Sequence, residues 1–521
     1  MGIPNYFLHI VKKYRYIIKK MKNIKIDNLY LDSNSIIYDT YYKIKNENLI
    51  FNNIADLEQQ IIINVCLKIE EYIRKVSPKK KVYIAFDGIA PIAKLSQQRK
   101  RRFLSDLEKK INDTKDDMWN TTSITPGTEF MKNLSLYIND YFKQKEYIIS
   151  TSEEAGEGEH KIFEYMRLNK EYHMNTVTVI YGMDADLFML SLNHTYLSKY
   201  IYLYRETPDF IHNIDKTLNP NEGYLLDINE LSNKIILQGN FNIQPEQVIL
   251  QDNYKKQYLS DYILLCYLLG NDFLPHYPSL NIRDNGMDIL MNTYNDIKKK
   301  NKNFNITYKN NINWKNFKVI INIISKREKE FICNSHIKRG KYKNLKNELL
   351  NIPLISRDVE NYINPFDLGW EKRYYKKLLK IDYDEERIKQ ICINYLEGLE
   401  WTFKYYTTKC ENYYWKYNYN YPPLLIDLLK YIPYFNIQLL KKCEYNIEKP
   451  ITQITHLAYV IPYDSLYLLP DKIYIYLKNN YKFIYTSDID IQWSYCRYFW
   501  ESHVDMYNIN IVKLNDIINN I

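Results

Sequence analysis

Short apolar runs, each closed by a carboxylate, recur through the first half of the chain. Asn28–Asp32 (NLYLD) and Lys81–Asp87 (KVYIAFD) read as buried strands ending on an acid. Val179–Leu192 (VIYGMDADLFMLSL) breaks at Gly182 to present Asp184 and Asp186 before an apolar run resumes. Tyr147–Thr151, Tyr200–Arg205 and Tyr224–Ile228 are predicted as further strands. In open α/β sheets ligands sit beyond the carboxyl ends of the strands, so Asp32, Asp87, Asp184 and Asp186 are expected to share one crevice.

Helical spacing accounts for much of the remainder. Met1–Lys22 carries Phe7, Ile10, Val11, Tyr14, Ile17 and Ile18 at roughly helical intervals and predicts an amphipathic helix. After Pro91 a basic helix is expected, with Lys94, Gln98, Arg101 and Arg102 on one face. Thr125–Thr128 reads as a turn before another helix. Asp261–Leu269 reads as a buried helix capped by Asp261 and ended by Gly270 and Pro275, with Asp272 at its C-terminal end. Arg387–Tyr406 is predicted as a helix too. Residues 296–352 are rich in Asn and Lys and read as a helical, partly mobile connector between 1–295 and 353–521.

Composition narrows the class without fixing it. A chain of 521 residues is too long for one small core. Lys and Arg total 71 against 62 Asp and Glu, a net +9 that suggests an anionic partner without demanding one. The 53 tyrosines, with abundant Asn, Lys and Ile, read as coding bias from an AT-rich genome and are treated mostly as filler. Seven cysteines (66, 266, 333, 392, 410, 443 and 496) never form C-x-x-C, which argues for a reducing compartment and against a zinc site or disulfide framework. No targeting segment and no membrane-length apolar run is found. A monomeric protein away from the membrane is expected, in the cytoplasm, with the nucleus left open.

The carboxylates carry the chemistry. Gly156-Glu157-Gly158-Glu159 repeats the two-apart spacing of Asp184 and Asp186, and its glycines allow close backbone approach. His160 is expected to hydrogen-bond at the start of a helix rather than to ligate. A helix C-terminus disfavours a carboxylate, so a bound cation would offset the placement of Asp272. Seven acids then stand at element ends: Asp32, Asp87, Glu157, Glu159, Asp184, Asp186 and Asp272. Unpaired, they raise one another's pKa and oppose folding. Around two Mg²⁺ about 4 Å apart they suit phosphodiester hydrolysis, with Mn²⁺ as a possible substitute. The basic face beginning at Lys94 suits a terminal phosphate. Aromatics alternate with polar groups over Tyr413–Pro423, where Trp415 is expected to stack on bases.

The motifs MGIPNYF, LDSNSIIY, FDGIAPIAKLSQQRKRRF, TPGTEFM, GEGEHKI, YGMDADLFML, GNDFLPH, GWEKRYY, EGLEWTFKYY and WKYNYNYPP run in order over almost the whole chain. In them the chain resembles the 5′→3′ exoribonuclease (XRN) family, related to flap-endonuclease and PIN-like nucleases. The resemblance implies an α/β fold: a central, mostly parallel sheet flanked by helices, with a smaller, mainly helical C-terminal segment that narrows the entrance. It makes the seven acids a metal-binding set, and Lys94, Gln98, Arg101 and Arg102 a pocket for a 5′-monophosphate that rejects capped or triphosphorylated ends. Trp415 matches the aromatic that stacks on the terminal bases. Tyr38 stands where the family has a stacking His. A compact member without the long C-terminal extensions is expected, taking single-stranded RNA with a 5′-monophosphate. A flap- or DNA-directed nuclease and an inactive RNA-binding protein are the alternatives.

Overall fold

The computed structural model describes residues 2–521 apart from 48, 113–117, 207–217, 220–221, 240–251, 343–345, 347, 441–448 and 487–488. Its centre is a seven-stranded sheet made of β1 (Ile18–Lys20), β2 (Asn28–Asp32), β3 (Lys81–Ala85), β4 (Ile148–Ser150), β5 (Val177–Tyr181), β6 (Tyr200–Tyr204) and β7 (Tyr224–Asp227). The strand order is β1-β7-β6-β5-β2-β3-β4. The pairs from β6 through β5, β2 and β3 to β4 are parallel; β7 runs antiparallel to β6, and β1 to β7. In register, Leu31 lies opposite both Ile84 and Tyr181, so β2, β3 and β5 end at one level.

The period-two geometry of a strand explains the hydrophobicity of these runs. Leu29, Leu31, Val82, Ile84, Val179 and Tyr181 enter one core; Tyr30, Tyr83, Ile180, Ile201 and Leu203 enter the core on the opposite face. Helices α2 (Asn34–Asn46), α3 (Ile54–Val76) and α5 (Glu129–Tyr141) cover the first face. The second face is covered by α1 (Tyr6–Lys13) and α6 (Gly158–Leu168), and by Asp252–Cys266 and Glu385–Thr407. Apolar residues from 296–352 and from the C-terminal segment join this second core. Helix α4 (Ile92–Ile111) leaves the sheet and packs its Ile92 and Leu95 against Leu457, Val460 and Ile461. No helix among the described residues is long and apolar enough to cross a membrane.

Three local expectations are corrected. The predicted helix over Met1–Lys22 stops at Lys13; the chain turns and Ile18–Lys20 pairs with β7, so tertiary pairing overrides the helical period. Asp261 is not a cap, because its helix begins at Asp252. It accepts instead from the Thr307 and Ile306 amides (2.8 and 3.2 Å) and from Tyr294 Oη (2.6 Å), and so ties down the following hairpin. Within 296–352 the stretch forms helices Trp314–Ser325 and Glu328–Gly340, whose Asn and Lys residues are exposed or half-buried while Trp314, Phe317, Ile320, Ile321 and Ile332 are fully buried. Residues 343–345 and 347 of that stretch lie outside the described residues.

Candidate active site

The acids gather where the parallel strands end. Asp32 closes β2, Asp87 follows β3, and Asp184 and Asp186 follow β5. Glu157 and Glu159 flank the first residue of α6, where Gly158 has a structural reason: a Cβ there would lie 2.5 Å from Asp32 Oδ1. The Gly158 amide donates to Asp87 Oδ1 (2.7 Å), joining a third segment to the first two. Asp272 arrives on a loop fixed by Asn271, whose Oδ1 accepts from the Phe273 and Leu274 amides, both at 2.9 Å.

The start of the chain is part of this site, a contact between residues far apart in the sequence. Gly2 is in the left-handed region (φ 56°) and is packed so tightly against Asp186 that a Cβ would collide with its Oδ1. Its amide donates to Asp272 Oδ1 (2.9 Å).

Lys94 stands among the acids rather than at their margin. Its Nζ lies 2.6 Å from Glu157 Oε2 and 2.7 Å from Asp272 Oδ2. Burial works against its charge, but Asp272 and Glu157 hold its pKa well above the lysine range. Burial would likewise raise Asp272, yet Lys94 keeps that carboxyl well below the usual range. The remaining acids are less well compensated. Burial, then the neighbouring carboxylates, push Asp32 and Glu159 far up, and burial with Asp272 pushes Asp186 up to about 7.

Asp32 Oδ1, Glu159 Oε2 and both oxygens of Asp186 are buried with no hydrogen-bond partner among the described residues. Such a surplus of oxygen donors, with no Cys or His among them, fits hard divalent cations. The acids are gathered but not converged: among the described residues no three are arranged to hold an ion as they stand.

The other residues expected at the site are divided by the fold. Arg101 is exposed and Gln98 half-buried. Arg102 is half-buried with Nη1 unpartnered among the described residues; burial lowers its pKa to about 10, while the nearby Tyr38 phenol acts the other way. Arg102 and half-buried Tyr38 are therefore brought together.

Trp415 corrects its expectation, because at 8 % exposure it has no open face for a base. It stacks instead on Trp401 (5.1 Å between ring centres), Trp401 on Tyr405 (4.9 Å), and Tyr405 on His160 (3.7 Å). His160, expected to hydrogen-bond at the helix start, is the end of this column, with Nε2 unpartnered among the described residues. The column reaches the acids through Tyr405, whose Oη donates to Glu157 Oε1 (2.7 Å).

Three residues escaped the sequence reading. Tyr405 lies in the predicted helix, with nothing to mark its partner. Tyr413 is half-buried; burial, then Cys410, Glu164 and Glu157, raise its phenol to about 12, which places it near the acids. Its carbonyl also accepts from the Ile92 amide (2.8 Å), fixing the start of α4. His456 is buried with neither ring nitrogen partnered among the described residues; burial and then Arg102 lower its pKa to about 3.

Comparison with known proteins agrees with the motifs. The family model "XRN 5′-3′ exonuclease N-terminus" matches residues 1–207, and "Xrn1 helical domain" matches 254–354 and 354–521. Proteins named 5′-3′ exoribonuclease 1 from Saccharomyces cerevisiae, Schizosaccharomyces pombe and Homo sapiens are each 26 % identical to this chain and each align with 90 % of it. The alignments cover 40, 44 and 31 % of those proteins, so the chain spans less than half the length of these relatives. With both models matched in order along the sequence, the chain belongs to the XRN 5′-3′ exonuclease family.

Proposed function

We propose that this chain is a Mg²⁺-dependent 5′→3′ exoribonuclease that degrades single-stranded RNA bearing a 5′-monophosphate, processively, to nucleoside 5′-monophosphates. The observation that carries this reading is the meeting of seven acids from separate segments, four of their oxygens buried without partners, beside one basic helix. Asp32, Asp87, Glu157, Glu159, Asp184, Asp186 and Asp272 would hold two Mg²⁺, or Mn²⁺ in their place, once their side chains turn inward and Lys94 yields. Bound there, the ions supply Lewis acidity to the attacking water and to the departing oxygen.

The chain's own residues do the rest. Lys94, Gln98, Arg101 and Arg102 would grip the 5′-phosphate; the exposed Arg101 is the one free to form a bidentate pair. Gripping the terminal phosphate fixes which phosphodiester reaches the acids, and hence removal of one nucleotide at a time. Half-buried Tyr38 and Tyr413 would stack on the terminal bases, while Trp415 supports Glu157 through Trp401 and Tyr405. All six described cysteines are free, which supports action in a reducing compartment, cytoplasmic or nuclear.

The test compares turnover of one RNA carrying a 5′-monophosphate or a 5′-triphosphate with that of a 5′-flap DNA, in Mg²⁺ and in EDTA. Mononucleotide release from the monophosphorylated RNA in Mg²⁺ alone, abolished by Asp184→Ala while RNA binding persists, is the expected result. Preference for the flap, or turnover in EDTA, would overturn the reading.

A further inference from the structure

A cavity of about 270 Å³ runs along α4 beside the acid crevice, sharing Asp272 and Gly2 with it and Arg101 with the face expected to hold the 5′-phosphate. One wall is the helix face of Gln97, Lys100 and Arg101; another is the loop after Leu269, and the C-terminal residues Trp500–His503 close it. The size is near the lower end of small-molecule sites, about 300–1,000 Å³.

Four lining side chains have buried polar atoms without hydrogen-bond partners among the described residues: Gln97 Oε1, Asn271 Nδ2, His276 Nε2 and Ser502 Oγ. Buried polar atoms are ordinarily satisfied, each orphan costing about 1–3 kcal/mol. Donors and acceptors mixed around one cavity suit the edge of a nucleobase. Trp500, 41 % exposed, also lines the space and offers a ring to stack on a base.

The cavity is cationic as well. Among the described residues Lys100 Nζ donates to the neutral Asn420 Oδ1 at 2.7 Å, and burial followed by Lys416 lowers its pKa to about 8. Lys416, which donates to neutral Asn508 Oδ1 at 2.6 Å, adds a second ammonium. Arg283 does not count toward an anion site, because Glu501 already pairs with it (2.6 Å). An anion beside Lys100 and Lys416 would restore the balance of charge.

We propose that this cavity is a second site for a mononucleotide, which takes up the nucleoside 5′-monophosphate leaving the acid crevice past Asp272. The identity of the nucleotide as product rests on the nuclease reading above; the cavity's chemistry does not. Occupancy keeps the product near the crevice, so accumulated mononucleotide slows turnover.

The experiment is isothermal titration of AMP into the full chain in EDTA, where carboxylates without cations repel a phosphate. Saturable binding is expected. Gln97→Leu, which removes one acceptor, and Ser502→Phe, which fills the space, should each weaken it at least fivefold, whereas Asp184→Ala should not. Thermal melts confirm that each variant is folded; Gln97 is half-buried and its variant remains informative if Ser502→Phe fails.

No binding, meaning that water alone satisfies the wall, overturns the proposal. So does binding that needs Mg²⁺ and disappears in Asp184→Ala, or that ignores both cavity variants. No RNA is cut in this titration, so the two readings fail separately: RNA decay without AMP binding sinks only this one, and AMP binding without decay sinks only the other.

Discussion

Two buried clusters of charge sit in this molecule, and they are built in opposite ways. Glu360 lies between Arg339 and Arg357, with ion-pair distances of 2.7 and 2.6 Å, and its Oε1 also accepts from the Tyr495 amide (2.8 Å). Burial would raise this carboxyl, but the arginines, Arg339 foremost, hold it below its ordinary range. The crevice at the strand ends has the reverse balance: seven acids face Lys94, and Asp186 is pushed up to about 7. A closed network ties together Glu328–Gly340, Asp358–Ile363 and the C-terminal segment, and needs no further ligand. An open one stores repulsion that only added cations can relieve. The excess of unpaired acid is thus the mark of a working site, and a satisfied ion pair the mark of a structural one.

The largest effect should come from breaking the open cluster. Asp186→Asn is expected to lower RNA turnover in Mg²⁺ by about a thousandfold or more, several kcal/mol of transition-state stabilisation. The same change should raise stability in EDTA at pH 8 by about 1–3 kcal/mol, since it removes a repelled charge. Denaturant melts beside turnover assays decide the point. A variant that loses activity and stability together would place Asp186 with Glu360, as a structural acid.

Breaking the closed cluster should do the opposite. Glu360→Ala leaves two buried arginines without a partner and is expected to cost about 3–5 kcal/mol of stability. Turnover per folded molecule should stay near normal, because Glu360 belongs to the closed network and not to the crevice. Mg²⁺ separates the two clusters as well. At a hundred times its dissociation constant it should stabilise the parent and the Glu360→Ala variant alike by about 2.7 kcal/mol. The gain should shrink in Asp186→Asn. Equal Mg²⁺ stabilisation of all three proteins would show that the ions bind elsewhere.

How legible each cluster was in the sequence follows from the range of its interactions. Asp32, Asp87, Asp184 and Asp186 could be found because a strand ending on an acid is a local pattern, and parallel strands bring their ends together without further information. Glu360 was invisible: in SRDVENYI it resembles any solvated helical charge, and Arg339 lies on a separate helix. Lys94 was identified, but a helical face cannot show that one of its cations turns into the acids while Arg101 remains exposed. Arg99, on the other side of that helix, is buried and donates to the carbonyls of Tyr507 and Ile484 at 2.8 and 3.0 Å. Trp415 was misjudged because the ring that covers it, Trp401, belongs to another element, and nothing in either segment encodes the stack. The contact of Gly2 with Asp186 was beyond reach for the same reason.

The smallest effect, and the most discriminating, is the dependence of stability on pH without metal. Asp186 has its folded pKa raised to about 7, so its contribution is fully present below the unfolded value of about 3.9 and is lost as pH rises through 7. Glu360 has its folded pKa depressed, so its contribution is present above the unfolded value of about 4.3 and is lost only as pH falls further. In EDTA the parent should therefore lose stability relative to Asp186→Asn between about pH 4 and 7, by at most about 1.4 kcal/mol per pH unit for one proton. Relative to Glu360→Gln it should lose stability only below about pH 4, where the salt-bridged carboxylate is protonated. Denaturant titrations at unit steps of pH measure both differences. Parallel curves for the parent and Asp186→Asn from about pH 4 to 7 would mean that Lys94 already neutralises the crevice. The contrast between an open and a closed cluster would then be lost, however well each is drawn by its distances.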